Sequence, residues 1–465
     1  KQTQMEATMR KTIRRLSAPL AKLAVLALLV SACRTNTHAQ TPQSGGTDTM
    51  NSLTTFADNL IEHARDQYGP EHTPLFVSQL EIGRKHIPDP DTVFYGKGHR
   101  GGAGATTNNL LFDNGLVRLL DALSKLTGDA KYRQAVDEYL EFYLDNLPEA
   151  GTGFFPWGDH RGYDVLKDKT IESYHEFKVM NPPWQRYYDV NAVATKRMIE
   201  AIRRHIFAPG KSYGFNRHYP SQKHTPHSMP SSSGAWIAAW AFLHSQTGEE
   251  KYLDWAREMD AYMWSLRNPK TDLLASHPHD PAYPSSARYG GGLRAERTEY
   301  MAQLTVYATN LLVAAEQLGP EKGKVFREHA LAFTRAFTRA MDVREDGSFH
   351  ATFLLETGEP LFPRIEDGWR FIPAMNDKYT WANRVLGIRA PIVLAYIYRI
   401  TREEDLRETF DALLPLYRME QFAPDAPRQD FPAGLVAQAL TSFLDMYKAT
   451  GGKKYLDHAA TIGAY

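Results

Sequence analysis

The chain has 465 residues, of which 43% are hydrophobic and 23% are charged. This composition is typical of a globular protein, and the length greatly exceeds what one small core requires. The 54 basic and 54 acidic residues give a formal net charge of zero. This balance gives no indication of nucleic-acid binding, so we expect no nucleic-acid partner.

The N-terminal segment differs in composition from the rest of the chain. Several basic residues and the apolar run LAKLAVLALLV lead to VSAC, which ends at the only cysteine, Cys33. This order predicts a secretory signal, too short to be a membrane-spanning helix. VSAC also resembles the bacterial lipobox, which implies that residues 1–33 are a lipoprotein signal and that Cys33 is lipidated. An ordinary signal peptide with an incidental cysteine is the alternative.

The segment after Cys33 is polar and rich in Gly and Thr, so residues 34–53 predict a flexible tether. Residues 1–32 hold six basic residues and one acidic residue, and their removal would leave 48 against 53, a formal charge of −5. We therefore expect an exported, mildly acidic protein held in the bacterial cell envelope by a lipid anchor.

One short sequence motif, the Thr-Gly phrase, occurs three times along the remaining chain. The segments that start at Leu123 and Leu243, and the C-terminal segment MYKATGGKKYLDHAATIGAY, contain Thr-Gly, two variable residues and then Lys-Tyr. A glycine in this position ends one helix, and the amphipathic pattern after it predicts a second helix. Each copy therefore predicts a helical hairpin.

More apolar helices precede these turns, as in SGAWIAAWAFLHS. An apolar inner helix paired with an amphipathic outer helix is expected for concentric rings of hairpins. We predict an all-α fold, an α/α toroid of six to seven hairpins that forms a single catalytic domain over 54–465 and acts as a monomer. An open helical solenoid is the alternative. Residues 347–356, GSFHATFLLE, predict one minor β-hairpin.

Three connections in the first half concentrate aromatic, imidazole and carboxylate groups, and these connections are residues 151–165, 172–190 and 213–234. Loops of this kind on a rigid scaffold are typical of functional sites. His160, Glu176 and His218 come from different connections, and imidazole nitrogens with a carboxylate can hold a transition metal. They show no short ligand spacing, so surface histidines are the alternative at this point.

The order WGDH, HEFK, NPPW and FNRH resembles polysaccharide lyase family 2, the metal-dependent pectate lyases built on an α/α barrel. The resemblance implies that His160, Glu176 and His218 hold a divalent metal, with Mn²⁺ first and Ca²⁺, Co²⁺, Ni²⁺ or Zn²⁺ as alternatives. It also implies that Arg217, directly before His218, removes a proton. Because free arginine keeps its proton, a carboxylate clamp is its rival role, and Lys178 is the second candidate for the base.

The same resemblance implies β-elimination on an acidic polysaccharide that contains uronic acid, such as pectate or polygalacturonate. We assign five residues to substrate binding, and these are Trp157, His175, Trp184, Arg297 and Tyr300. The two tryptophans would stack on sugar rings, with core packing as the alternative. Arg297, in a helix predicted to start near Arg294, would meet a uronate carboxylate, with a surface Arg–Glu pair as the alternative.

Two other classes of function remain open from the sequence. A hydrolase on the same helical ring would use paired carboxylates such as Asp159 and Asp189 as acid and base. A non-catalytic lipoprotein would bind glycans at the cell surface and form no product.

Overall fold

The computed structural model describes residues 45–81, 83–89, 104, 106–158, 160–171, 176–177, 182–208, 212–218, 228–275, 278, 297–299, 306–369, 387–423, 426–427, 429, 431 and 433–464. The predicted signal and Cys33 lie outside the described residues, so the lipid anchor stays a prediction. Within these ranges, no helix combines the length and the apolar character needed to cross a membrane.

The chain has an α/α fold, as the sequence predicts. In the described ranges the α-helices are α1 Gly45–His63, α2 Leu110–Thr127, α3 Ala130–Asn146, α4 Trp184–Val190, α5 Ala192–Ala201, α6 Pro230–Thr247, α7 Glu250–Ser265, α8 Thr309–Lys322, α9 Lys324–Met341, α10 Arg389–Thr401, α11 Glu404–Ala412, α12 Ala433–Thr450 and α13 Lys453–Ala464. One or two residues join the helices of the pairs α2/α3, α6/α7, α8/α9, α10/α11 and α12/α13. These pairs are the predicted helical hairpins.

The repeated Thr-Gly phrase forms the same turn at three places. Gly128, Gly248 and Gly451 have φ values of 74°, 71° and 70°, the left-handed region that glycine adopts most easily. Each glycine N–H donates back into its helix, to a carbonyl four residues earlier, at distances of 3.0, 2.8 and 2.7 Å. This is the C-capping geometry that the sequence predicts.

The threonine before each glycine completes the turn. The hydroxyl of Thr127 donates to the carbonyl of Leu123 at 2.8 Å and accepts from the N–H of Asp129 at 3.1 Å. Thr247 and Thr450 make the equivalent pairs of hydrogen bonds. The threonine hydroxyl therefore bonds to one backbone group on each side of the turn.

The pairing of an apolar helix with an amphipathic one is clearest in α6 and α7. Every residue of α6 from Pro230 to His244 is buried, as expected of a helix that is apolar on all sides. Helix α7 buries only one face, at Tyr252, Leu253, Ala256, Met259, Asp260 and Met263. A side chain of the Leu or Met class contributes about 1.5–3 kcal/mol when it is fully buried, so this face holds α7 in place.

Short antiparallel strands accompany the helices. In the described part of the chain they are β1 Thr107–Asn108, β2 Tyr163–Asp164, β3 Lys169–Thr170, β4 Ile206–Ala208, β5 Ser212–Phe215, β6 Arg297–Glu299 and β7 Thr352–Leu354. They form a sheet in the order β1-β2-β3 and the two pairs β4-β5 and β6-β7. The first sheet and the β4-β5 pair lead directly to the candidate site residues.

The described chain divides into two compact units. The first contains the described residues up to Glu176, together with Pro182–Ala201 and residues 433–437. It carries α1 to α5 and the sheet β1-β2-β3. The second contains Phe177, the described residues from Ile202 to Phe431, and those from Gln438 onward. It carries α6 to α11, α13 and the strand pairs β4-β5 and β6-β7.

Three details differ from the sequence predictions. Helix α1 begins at Gly45, so residues 45–53 of the predicted flexible tether are helical. Residues Arg297–Glu299 form a strand where a helix is predicted, because they pair with Thr352–Leu354. Residues 347–356 do contain a strand, which pairs with this distant segment in addition to a neighbouring one, because antiparallel bridges also join Phe349 to Ile365 and Phe353 to Pro360. Local periodicity cannot reveal such a long-range pairing.

Candidate active site

The first unit brings His160 and Glu176 together. Both side chains are buried, with 7% of His160 and 0% of Glu176 exposed. The Nε2 atom of His160 lies 3.9 Å from Oε2 of Glu176. This distance is longer than a hydrogen bond, and it leaves the imidazole nitrogen and the carboxylate oxygen facing each other across a gap.

The backbone around Gly158 sets this arrangement. The N–H of Glu176 donates to the carbonyl of Trp157 at 3.1 Å, which holds the two segments side by side. Gly158 has a φ of 99°, and a Cβ added to it would lie 2.6 Å from the Cβ of Glu176. Only glycine permits both this backbone conformation and this close approach.

The second unit carries Arg217 and His218 at the end of the β4-β5 hairpin. Strand β5 continues into Asn216, whose N–H donates to the carbonyl of His205 at 3.3 Å. The Oδ1 atom of Asn216 accepts from the N–H of His218 at 2.9 Å, which closes a tight turn. The buried side chain of Asn216 therefore fixes how the chain presents the two residues after it.

Arg217 and His218 are half-buried and adjacent. The Nε–H of Arg217 donates to Nε2 of His218 at 3.3 Å. One guanidinium nitrogen of Arg217 also contacts the sulfur of Met229. The side chains of Arg217 and His218 therefore contact each other directly at the end of the hairpin.

His205 lies fully buried behind this turn. Its Nδ1–H donates to the carbonyl of Asn216 at 2.5 Å, and its ring lies 5.6 Å from that of Trp236. Burial lowers the pKa of His205 to about 4; the hydrogen bond to Asn216 acts in the opposite direction, and His218 lowers the pKa further. His205 is therefore neutral at pH 7 and serves as a hydrogen-bond donor to the turn.

The structure corrects the assignment of Trp157 and Trp184 to sugar stacking. Only 1% of Trp157 and 2% of Trp184 are exposed. Their rings stack on each other, with centroids 6.0 Å apart and an interplanar angle of 5°. Trp184 also packs edge-on against Tyr187. Neither indole is open to a sugar ring, and core packing, the alternative interpretation, is the one observed.

The other assigned residues are less fully described. His175, Lys178 and Tyr300 lie outside the described residues, as does Asp159 of the hydrolase hypothesis. The backbone of Arg297 is in β6, and its side chain lies outside the described part. Asp189, the other carboxylate of that hypothesis, is exposed on α4 and accepts a hydrogen bond from Gln185 at 2.8 Å.

Sequence reasoning missed three residues that support the site. Asn109, Asn216 and His205 are all buried, and all three hydrogen-bond to the loops that carry the candidate ligands. Of the three, only Asn216 could have been found from the sequence, because an asparagine side chain in a turn often accepts a hydrogen bond from the N–H two residues further along the chain. The partners of Asn109 are about fifty residues away and leave no local pattern.

The comparisons with known proteins cover the part of the chain that carries these residues. Residues 93–233 match the family model described as periplasmic pectate lyase. This range includes His160, Glu176, Arg217 and His218, and the predicted resemblance to the pectate lyases is confirmed as a similarity. A particular relative is the pectate disaccharide-lyase of Dickeya dadantii (strain 3937), which is 24% identical over 322 residues. The match covers 61% of this chain and 54% of the relative, so the chain spans about half of that protein's length.

Solved structures with a similar chain path include two sugar-converting enzymes. A sugar epimerase from a ruminal bacterium gives a TM-score of 0.49 at 13% identity, covering 86% of this chain and 99% of that one. A D-mannose isomerase gives a TM-score of 0.48 at 13% identity, covering 82% of this chain and 88% of that one.

Proposed function

We propose that the protein is a metal-dependent polysaccharide lyase that cleaves a uronic-acid-containing polysaccharide, such as pectate, by β-elimination. The relationship to the pectate lyases over 93–233 supports this class of reaction. The observation that carries the proposal is the buried pair His160 and Glu176, whose Nε2 and Oε2 atoms lie 3.9 Å apart. We propose that His218 is the third ligand.

These three residues would hold the divalent metal. Two imidazoles and one carboxylate suit Mn²⁺, Fe²⁺, Co²⁺, Ni²⁺ or Zn²⁺ and supply fewer oxygen ligands than Ca²⁺ requires. We therefore propose Mn²⁺ first. Burial of Glu176 and His160 supports a metal ligand role, because a buried carboxylate needs a positive partner. Three protein ligands would leave coordination positions for substrate oxygens.

Elimination from a 4-linked uronate breaks the C5–H and C4–O bonds and forms a C4=C5 double bond. A bound divalent cation supplies the positive charge that neutralises the C6 carboxylate and makes C5 more acidic. The protein must also accept the C5 proton, hold the sugar in line and provide a proton for the leaving C4 oxygen.

We propose that Arg217 faces the substrate beside the metal ligands. Its place next to His218 supports this role, since the Nε–H of Arg217 lies 3.3 Å from Nε2 of His218. As a base, Arg217 would have to lose its proton before it accepts the one on C5. As a clamp, it would bind the uronate carboxylate through two parallel N–H groups, and Lys178 would be the second candidate for the base.

We also propose where the protein acts, on what substrate and in which oligomeric state. We propose an exported protein, which the name of the matching family supports, with a lipid anchor at Cys33 and an acidic polysaccharide or oligosaccharide as substrate. We also propose that it acts as a monomer. A formal charge of −5 after removal of residues 1–32 would make a local cation useful, because an acidic surface repels polyuronates.

The direct test follows absorbance near 235 nm while the protein acts on polygalacturonate. An unsaturated uronate absorbs there, whereas a hydrolysis product does not. We expect activity that a chelator abolishes and added Mn²⁺ restores. The variant His218→Ala should lose at least about 100-fold in rate, because a lost ligand removes the metal from the site.

A matched control keeps this test specific. His72→Ala removes an imidazole from an exposed position and should leave the rate unchanged. Full activity of the native chain in chelator, or of His218→Ala, would rule out the metal assignment. New reducing ends without absorbance would point to the hydrolase, and binding without any product would point to the glycan-binding lipoprotein.

A further inference from the structure

Asn109 is a fully buried residue at the start of α2. Its Oδ1 atom accepts a hydrogen bond from the N–H of Leu111 at 3.1 Å, which caps the helix. Its Nδ2 group donates two further hydrogen bonds, to the carbonyls of Gly158 at 2.6 Å and Arg161 at 2.9 Å. One side chain thus uses its acceptor for the helix and both of its donors for a loop.

The two carbonyls that Asn109 binds lie on either side of His160. Gly158 precedes His160 by two residues and Arg161 follows it directly, so Asn109 holds the short stretch of backbone from which the imidazole projects. Gly158 in turn packs against Glu176, because a Cβ on Gly158 would lie 2.6 Å from the Cβ of Glu176. Asn109 therefore fixes one member of the His160–Glu176 pair in relation to the other.

The requirements of a helix cap alone would not select asparagine here. Ser, Asp and Asn cap helices almost equally well, because each offers one oxygen acceptor. Only asparagine combines that acceptor with an amide that donates twice from the same short side chain. At position 129, where an N-cap holds α3, the residue is aspartate, and its carboxylate accepts from the N–H of Lys131 at 2.9 Å.

We propose that Asn109 is a positioning residue of the metal site, which holds the His160 loop so that the imidazole faces Glu176. The expected effect on the binding of a divalent cation rests on the proposed function. The two hydrogen bonds from Asn109 to the loop do not rest on it, because they form without any bound ion.

The test compares Mn²⁺ affinity, measured by titration calorimetry, in the native chain and in Asn109→Ser. The serine hydroxyl keeps an acceptor for the Leu111 N–H but cannot donate to both loop carbonyls. We expect the dissociation constant for Mn²⁺ to rise by about 10- to 100-fold, the range typical of lost hydrogen bonds behind a metal ligand. Asn109→Asp, whose second oxygen would repel the two carbonyls, should show a loss in the same direction.

Asp129→Ser is the matched control. It changes the corresponding N-cap of α3 and should leave Mn²⁺ affinity within about twofold and the unfolding temperature nearly unchanged, because serine and aspartate cap helices almost equally well. Unchanged affinity in folded Asn109→Ser and Asn109→Asp would overturn the proposal. An equal loss of affinity in Asp129→Ser would also overturn it, because the effect would then follow from a change at any N-cap.

A second readout separates this proposal from the proposed function. The ring nitrogens of ¹⁵N-labelled histidines are recorded by NMR without metal, with His160→Gln assigning the His160 signals. We expect these signals to shift or broaden in Asn109→Ser and to stay unchanged in Asp129→Ser. If the native chain binds no Mn²⁺, the metal site is wrong and this spectrum alone decides the role of Asn109. Unshifted His160 signals would contradict that role.

Discussion

Two buried side chains, His205 and Asn216, hold the turn that carries Arg217 and His218. The carbonyl of Asn216 accepts from His205, and its side chain accepts from the N–H of His218. Neither bond involves a candidate ligand atom, yet both determine where the ligand-bearing backbone runs. At the scale of single residues, the candidate site thus depends on groups that bind nothing themselves.

The burial of His205 predicts a pH dependence of stability. Its pKa is about 4 in the folded chain against an ordinary value of 6.5. The unfolded chain therefore binds more protons between these two values, so the stability from His205 is complete above pH 6.5 and is lost as the pH falls toward 4. At pH 5 the loss is about 2 kcal/mol.

The measurement is the urea unfolding midpoint at pH 7.5 and pH 5, in the native chain and in His205→Asn. Asparagine places a donor near the position of Nδ1 but does not titrate in this range. We expect the variant to be less stable at pH 7.5, because it loses ring packing against Trp236, and to lose less stability on acidification. Parallel losses in both proteins would contradict the role assigned to His205.

The sequence revealed some residues of the candidate site more readily than others. The ligand candidates stand in short, distinctive phrases, so the resemblance identified them. Asn109 contacts carbonyls 49 and 52 residues further along the chain, and its immediate neighbours look like an ordinary helix start. Trp157 and Trp184 failed in the opposite way, because their position in polar loops suggested exposure and the structure stacks and buries them.

At the scale of elements, the repeated turn was predictable because all of its chemistry is local. Threonine, glycine and the following helix start lie within six residues, and the same hydrogen bonds recur at each copy. The lysine of each phrase lies over the ring of its tyrosine at 4.8, 4.7 and 4.8 Å. By contrast, β6 and β7 are some fifty residues apart, and their pairing was missed.

The turn predicts the effect of replacing its glycine. Gly128→Ala introduces a Cβ that meets no atom within 4 Å, so its cost comes from the left-handed backbone alone. We expect a loss of about 1–2 kcal/mol in the free energy of unfolding. Gly151→Ala is the control, because it also meets no atom within 4 Å and has no positive φ.

Thermal unfolding of the two variants decides this prediction. Gly128→Ala should unfold at a lower temperature than the native chain, and Gly151→Ala should unfold at nearly the native temperature. The proposed lyase activity at 25 °C should be equal in all three proteins. Equal unfolding temperatures for both variants would show that the left-handed conformation at Gly128 carries no cost.

At the scale of the whole molecule, metal binding should be visible as stability. A ligand that binds only the folded chain stabilises it by about 2.7 kcal/mol at a concentration one hundred times its dissociation constant. We therefore expect Mn²⁺ to raise the unfolding temperature of the native chain and of His72→Ala. His218→Ala should show no such rise, and an equal rise in that variant would place the bound Mn²⁺ elsewhere.

At this scale, composition and hydrophobic pattern predicted the class of fold. Apolar and amphipathic helices in alternation predicted the α/α fold, because burial of one helix beside another leaves a strong periodic signal. The extent of α1 escaped prediction, since its first residues are polar and glycine-rich and its helix is set from Leu53 onward by apolar spacing. The number of hairpins and the single domain stay predictions.

Gly158 also restricts which substitutions this sequence can accept during evolution. Its positive φ and its contact with Glu176 together exclude every side chain. A substitution there would first require Glu176 to move, and a moved Glu176 would no longer face His160. Gly128 and Gly451 have open space around them, so we expect their replacement to cost only the strain of the left-handed backbone. Position 158 has no such intermediate step, so descendants of this sequence that keep the pair must also keep the glycine.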